Sequence, residues 1–393
     1  MIRHLFTLIW NKKRVHSLLI VEIWASFMVL FGLASLIVYN VRNYSEPLGF
    51  SYENVWAVGL NSNQDTTAVA EKIQLILQRL KSYQEVKSLS RMSDNSPFSA
   101  NTMNNSVEHD KKRALTDFYM TDEHFASTLD MQVVAGRWFK GADSVSKFSP
   151  VVINQKAKES LFENEDPIGK IISNGDQNDK NRTQWKVVGV VENFKAKGEF
   201  MANNPALFQL VSKNDRYNNK ILIKVKPGTD AIFEAKLVKA ITAMVNGWSV
   251  EVDHLTDSRK NQHNLTLVPV IIFLIVCSFL LINVALGLFG VLNVSITKRR
   301  GEIGLRRALG ATEQGISRQF VGEMWVLATF AIVLGLVLAG QFPLLNVFDL
   351  DAKVYLMAIL IAVVIVYLLV TLCALFPSRQ AATIQPAVAL HED

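Results

Sequence analysis

The sequence predicts a membrane α-helical protein with four transmembrane helices and an α+β extracytoplasmic domain inserted between spans one and two. Three observations predict it. No Asp, Glu, Lys, Arg or His occurs from Leu265 to Ile296, from Met324 to Phe348 or from Val354 to Ser378, and each stretch exceeds the roughly 20 apolar residues that cross a bilayer. A fourth apolar run, Ser17 to Val41, carries a single charge, Glu22. Between it and the next run the charges balance, with 29 Lys/Arg against 27 Asp/Glu from residue 40 to residue 264. A mean hydropathy of +0.20 beside 19% charged residues is what such a mixture of spans and a soluble domain produces.

In residues 1–16, Ile2, Leu5, Phe6 and Ile9 fall at helical spacing before Trp10 and the cluster Lys12, Lys13 and Arg14, which predicts an interfacial helix on the cytoplasmic leaflet. Residues 17–41 form span one. Gly32-Leu33-Ala34 resembles a leader cleavage site, but the apolar run continues to Val41, longer than a leader's core, so a retained anchor is expected. Residues 42–262 form the extracytoplasmic domain, 265–297 span two, 298–323 a cytoplasmic loop and 324–348 span three. An outer loop, 349–353, precedes span four at 354–378 and a cytoplasmic tail at 379–393. Basic excess flanks only the proposed inner ends, at Arg3 to Arg14 and at Lys298 to Arg318, so both termini are expected inside a bacterial inner membrane.

The extracytoplasmic domain opens with a strand at 54–60, a helix carrying Val69, Ile73, Leu77 and Leu80, and a strand at 86–89. The same order returns as a strand at 221–225, a helix at 231–245 and a strand at 249–252, predicting a split α+β platform. Strands at 115–120, 150–153 and 185–191 predict a β-rich lobe between the two units. The polar stretches 93–113 and 173–183 read as long loops. After Val252 a polar helical pattern leads to Thr266, which predicts a stalk continuous with span two. The two cysteines, Cys277 and Cys373, lie in spans, so no disulfide holds the outer domain.

Several chemistries are excluded. The net charge of +6 sits beside the spans, leaving no basic stripe for nucleic acid. No phosphate-binding G-x-x-x-x-G-K-[ST] loop occurs, and the seven histidines never fall at metal-ligand spacing. No cofactor or metal is therefore expected on this chain. Glu163, Glu165 and Asp166 read as a solvated turn beside Pro167 rather than as paired catalytic carboxylates, and no catalysis by this chain alone is expected.

The segment Lys298 to Thr312 is the most informative. A helix here sets Ile303, Leu305 and Leu309 against Arg306 and Arg307, Gly310 can end it, and Thr312 can cap a next helix carrying Ile316 and Phe320 before Glu323. In span three, Ala331, Gly335 and Ala339 recur every four residues, a spacing that admits a close helix neighbour or arises by chance. Glu22 in span one is consistent with snorkelling to the inner headgroups, with a buried partner or with a proton relay.

The string GEIGLRRALGAT resembles the signature after the second span of MacB/FtsX-type ABC transporter permeases. VVINQKAKESLFENEDPIGKII, WKVVGVVENF and ILIKVKPG recur in that order in their periplasmic core domain. The resemblance covers essentially the whole chain. It implies that Glu302, Ile303, Gly304, Arg306, Arg307, Gly310 and Ala311, with the anchors Leu305 and Leu309, couple the spans to an ATPase. MacB carries its ATPase fused ahead of span one, where this chain has residues 1–16, so an ABC ATPase on a separate polypeptide is expected to supply ATP and Mg. The resemblance further implies a second permease chain, as a homodimer or heterodimer, in contact with membrane lipid. Export or efflux of a peptide, drug or lipid-linked cargo, with a periplasmic adaptor and an outer-membrane duct, is the leading expectation. The alternatives are a signalling permease that activates a periplasmic cell-wall hydrolase, and a lipoprotein-extraction permease.

Overall fold

A computed structural model describes residues 13–145, 148–174, 182–212, 214–345, 347 and 350–383. The expected interfacial helix at 1–16 lies outside these residues as far as residue 12, as do most of the 173–183 loop and the tail from residue 384. Two compact units form, one from residues 42–266 and one from the segments on either side.

In chain order, helix α1 (Lys13–Tyr44) precedes β1 (Val55–Asn61), α2 (Val69–Lys81), β2 (Val86–Met92), β3 (Asn104–His109), β4 (Lys112–Thr121), α3 (Phe125–Thr128) and β5 (Val133–Gly136). Then come β6 (Ser149–Asn154), α4 (Gln155–Phe162), β7 (Ile171–Asn174), β8 (Gln184–Val191), β9 (Ala206–Leu210), β10 (Lys220–Val225), α5 (Ala231–Met244) and β11 (Ser249–His254). The chain ends with α6 (Leu255–Lys298), α7 (Arg300–Ala308), α8 (Glu313–Ala339), α9 (Gln341–Leu344) and α10 (Ala352–Ala382).

In the inserted domain the two strand-helix-strand units interleave, giving the antiparallel order β11-β1-β10-β2. The alternation of β1 explains the layering. Trp56, Val58 and Leu60 face α2 and α5, packing on Ile73, Ile76, Phe233 and Leu237, while Val55 and Ala57 face the rest of the domain. Asp230 caps α5 by accepting a hydrogen bond from the Phe233 amide at 3.2 Å.

The middle lobe is a closed ring, β4-β3-β7-β8-β6-β9, in which β9 returns parallel to β4 from Asp117↔Ala206 to Thr121↔Leu210. Val107, Val151, Ile153, Trp185, Val187 and Leu207 fill it, and Leu161 and Phe162 of α4 join them. Met92↔Thr121 is the register pair that links it to the platform sheet. Two sequence expectations change here. Residues 93–113 are not one long loop, because Asn104–His109 forms β3 and turns through Asp110, at φ 53°, into β4. The strands β5, β7 and β9 add to the three predicted in the lobe.

In the other unit, four helices are long and apolar enough to cross a membrane. Ile23 and Phe27 of α1 are fully buried, and Ala358, Ala362, Val366, Val370 and Ala374 of α10 make a seam against α8. The helices outrun the apolar runs. Helix α1 extends past the first apolar run to Tyr44, and the second apolar run belongs to a single helix that begins at Leu255. The helix that carries the third apolar run, α8, starts at Glu313 and ends at Ala339, before the short α9.

Candidate coupling site and membrane-proximal clamp

Helix α7 takes shape as its residues dictate. Gly310 adopts φ +97°, so the chain leaves the helix left-handed, with its amide donating to the Arg307 carbonyl at 3.1 Å and the Ala311 amide to the Arg306 carbonyl at 2.9 Å. Thr312 then caps α8, its hydroxyl accepting from the Gly315 amide at 3.2 Å.

Polar pairs tie α7 to α8. Arg306 pairs with Glu302 one turn earlier and donates to Gln319 Oε1 at 2.8 Å. Arg307 donates to Glu313 Oε1 at 3.0 Å and to the Ala311 carbonyl at 3.4 Å. Just before α7, Arg299 Nη1 donates to both Glu323 oxygens at 2.9 and 3.1 Å, with both side chains largely buried. Sequence reasoning did not single out this Arg299–Glu323 pair. The signal for it was an isolated acid at the foot of an apolar run opposite an arginine-rich segment.

The three expected anchors do not share a face. Ile303 is buried, together with Gly304, and joins the helix-bundle core, whereas Leu305 and Leu309 are 52% and 80% exposed. Ile303 fastens α7 to its own bundle. Leu305 and Leu309, four residues apart, make an apolar strip flanked by paired arginines.

Ala331, Gly335 and Ala339 are all buried. The Phe27 ring lies where a β-carbon on Gly335 would stand, at 2.3 Å. Glu22 packs against Gly287, whose β-carbon would come within 2.9 Å of its carboxylate, and that Oε2 is buried without a hydrogen-bond partner among the described residues. Glu163, Glu165 and Asp166 form the expected turn, with Lys112 and Lys170 pairing the two glutamates at 3.0 and 2.5 Å and Asp166 accepting from the Ile168 amide. Among the described residues no group of three or more His, Cys, Asp or Glu side chains could hold a metal ion.

A second cluster, absent from the sequence reading, lies in the inserted domain where α1 ends and α6 begins. Buried Glu199 receives Arg259 Nε at 2.5 Å on one oxygen and His263 Nε2 at 2.6 Å on the other. Buried Lys195 donates to the Asn43 carbonyl at 2.5 Å and the Glu199 carbonyl at 2.8 Å, while Asn43 Nδ2 donates to the Phe200 carbonyl at 2.9 Å. Phe200 stacks on Tyr44 and meets His263 edge-on. Burial alone would raise the Glu199 carboxyl, but hydrogen bonds from His263, its own backbone amide and Arg259 outweigh it and hold the group below the usual carboxylate range. Burial depresses the Lys195 ammonium, against the opposing pull of Glu46 and Glu199.

These elements define a multi-span membrane protein with one large inserted domain and an amphipathic helix after its second span. Residues 25–241 match the MacB-like periplasmic core domain, and residues 270–386 match the FtsX-like permease C-terminal region. The chain belongs to the MacB/FtsX-type permeases. It is 26% identical over 289 residues to the macrolide export ATP-binding/permease protein MacB of Pasteurella multocida, covering 70% of this chain and 43% of that protein. To the protein of the same name in Hahella chejuensis it is 29% identical, over 69% of this chain and 42% of that one. The chain thus spans less than half the length of these curated relatives. Among solved structures, the periplasmic region of MacB from Actinobacillus actinomycetemcomitans aligns at TM-score 0.40 and 15% identity, over 57% of this chain and 96% of that structure. The extracellular domain of YknZ from Gram-positive bacteria aligns at 0.35 and 15%, over 50% and 99%. Permeases of this family work with ABC ATPases, and the four apolar helices make this a protein of the bacterial inner membrane.

Proposed function

We propose that the chain is the permease subunit of an ATP-driven exporter, in which α7 receives the motion of a partner ATPase and the spans pass it to the extracytoplasmic domain. The observation that carries this reading is the split of α7 into an inward Ile303 and an outward strip of Leu305 and Leu309. A helix fixed to its own bundle on one side and apolar on the other can seat in a groove of a partner and move with it. Both termini and α7 then lie on the cytoplasmic side, where the excess of basic residues stands. ATP and Mg bind the partner, a second permease chain completes the complex, and a periplasmic adaptor with an outer-membrane duct would carry cargo onward. The cargo class is a peptide, a drug or a lipid-linked molecule. The relatives are named as macrolide exporters, which favours export over activation of a cell-wall hydrolase or lipoprotein extraction.

The test is co-isolation from native membranes. A rim charge contributes ~0–1 kcal/mol at an interface and a buried leucine roughly 1.5–3 kcal/mol. Leu305→Asp and Leu309→Asp are therefore expected to leave the chain inserted and folded but free of its ATPase. Arg306→Ala weakens association in a salt-dependent way without abolishing it. Full ATPase association and activity in both leucine variants would overturn the reading.

A further inference from the structure

The inserted domain holds a cavity of about 580 Å³ lined by Leu115, Asp117, Lys197, Met201, Asn204 and Leu265, among others. This is the size of sites that take small organic ligands. Its chemistry is lopsided. Leu115, Met201 and Leu265 are 65%, 40% and 68% exposed, an unusual run of bare apolar side chains around one opening. Between them stands a carboxylate with little company. Asp117 accepts one long hydrogen bond, from Asn204 Nδ2 at 3.3 Å, and makes no ion pair within 4.0 Å among the described residues.

The cation nearby does not answer that carboxylate. Lys197 Nζ donates to the carbonyls of Ser99, Ala100 and Asn101 at 2.9, 3.1 and 2.6 Å, so its three hydrogens are committed to a loop. Burial pushes the Asp117 carboxyl up, with the Asn204 hydrogen bond and the Lys197 charge opposing it. The carboxylate is partly open to solvent and pairs with no cation among the described residues, so its charge is left for water or a ligand to meet.

We propose that this cavity binds an amphiphile carrying a protonated amine, whose ammonium group Asp117 accepts and whose apolar part Leu115, Met201 and Leu265 cover. A neutral amphiphile would cover Asp117 without pairing its charge. An anionic one would meet a carboxylate and find no free hydrogen on Lys197. The inference stands apart from ATP-driven export, since binding needs neither ATP nor a partner.

The experiment uses the full chain in lipid nanodiscs, photolabelled with a dodecylamine bearing an alkyl diazirine and, in parallel, with the matching dodecanol. Mass spectrometry locates the labelled peptides. Saturable amine labelling of the peptides holding Leu115, Met201 and Leu265 is expected, displaced by unlabelled dodecylamine and about tenfold above the alcohol. Asp117→Asn should lower amine labelling about tenfold and leave alcohol labelling unchanged. Met201→Trp, which fills the cavity but keeps the carboxylate, should abolish both, and it decides the matter alone if Asp117→Asn fails to fold. Equal labelling by amine and alcohol that neither variant changes would mean membrane partitioning and overturn the proposal. So would labelling confined to the spans.

Discussion

Glu199 holds Arg259 and His263 at once, and its removal tests what that clamp contributes. A charged hydrogen bond stabilises by about 1.5–3 kcal/mol, so Glu199→Gln should cost the purified chain about 2 kcal/mol, read as a lower thermal unfolding temperature at neutral pH. The sign with pH follows from its depressed carboxyl. The contribution is fully present above the unfolded value of about 4.3 and is lost as pH falls through the lower folded value, so wild type and Glu199→Gln should converge only in that acid window. Little of this was legible in the sequence. Arg259 and His263, four apart on a helix, share a face, but their acid lies some 60 residues earlier in a stretch without periodicity. Ile303 and Leu305 show a second limit. Two apolar residues on one short helix look alike until the neighbours decide which is buried.

At the scale of elements, the spacing of Ala331, Gly335 and Ala339 was consistent with a close helix neighbour or with chance, and no partner was legible in it. An aromatic ring, Phe27, occupies the notch, a fit that small-residue spacing does not encode. Gly335→Ala should therefore destabilise the detergent-solubilised chain by about 1–3 kcal/mol, and pairing it with Phe27→Ala should return part of that loss in a double-mutant cycle. Simple additivity would refute the contact. Strand β3, sequence NNSVEH, was hidden for a different reason. Val107 is its one fully buried hydrophobic side chain, so it forms through pairing with β4 rather than through a pattern of its own. The start of α8 was not legible because freedom from charge marks only the apolar core of a helix, and α8 begins eleven residues before Met324 in a polar turn capped by Thr312.

For the whole molecule, charge partition was the strongest signal, because placing charge in hydrocarbon costs several kcal/mol while a soluble domain tolerates it. It divided the chain into helices and inserted domain much as the two compact units do. The sidedness it implies can be checked with exposed positions. In a chain lacking Cys277 and Cys373, Ser127→Cys should react with a membrane-impermeant thiol reagent in intact spheroplasts, and Gln314→Cys should react only after lysis. The reverse pattern would invert the topology.

Strand β11 ends at His254 and α6 begins at Leu255, with no residue between them and with Leu255 buried in the domain core. A joint of this kind has no backlash. A flexible connector would absorb the first few degrees of any twist before passing the rest on, and no such connector stands between the helix and the platform strand. Two glycines inserted between His254 and Leu255 would supply the missing slack. In the exporter proposed above, the domain should still fold and the partner ATPase should still turn over, but cargo release per ATP should fall, as in an engine running with its clutch half disengaged.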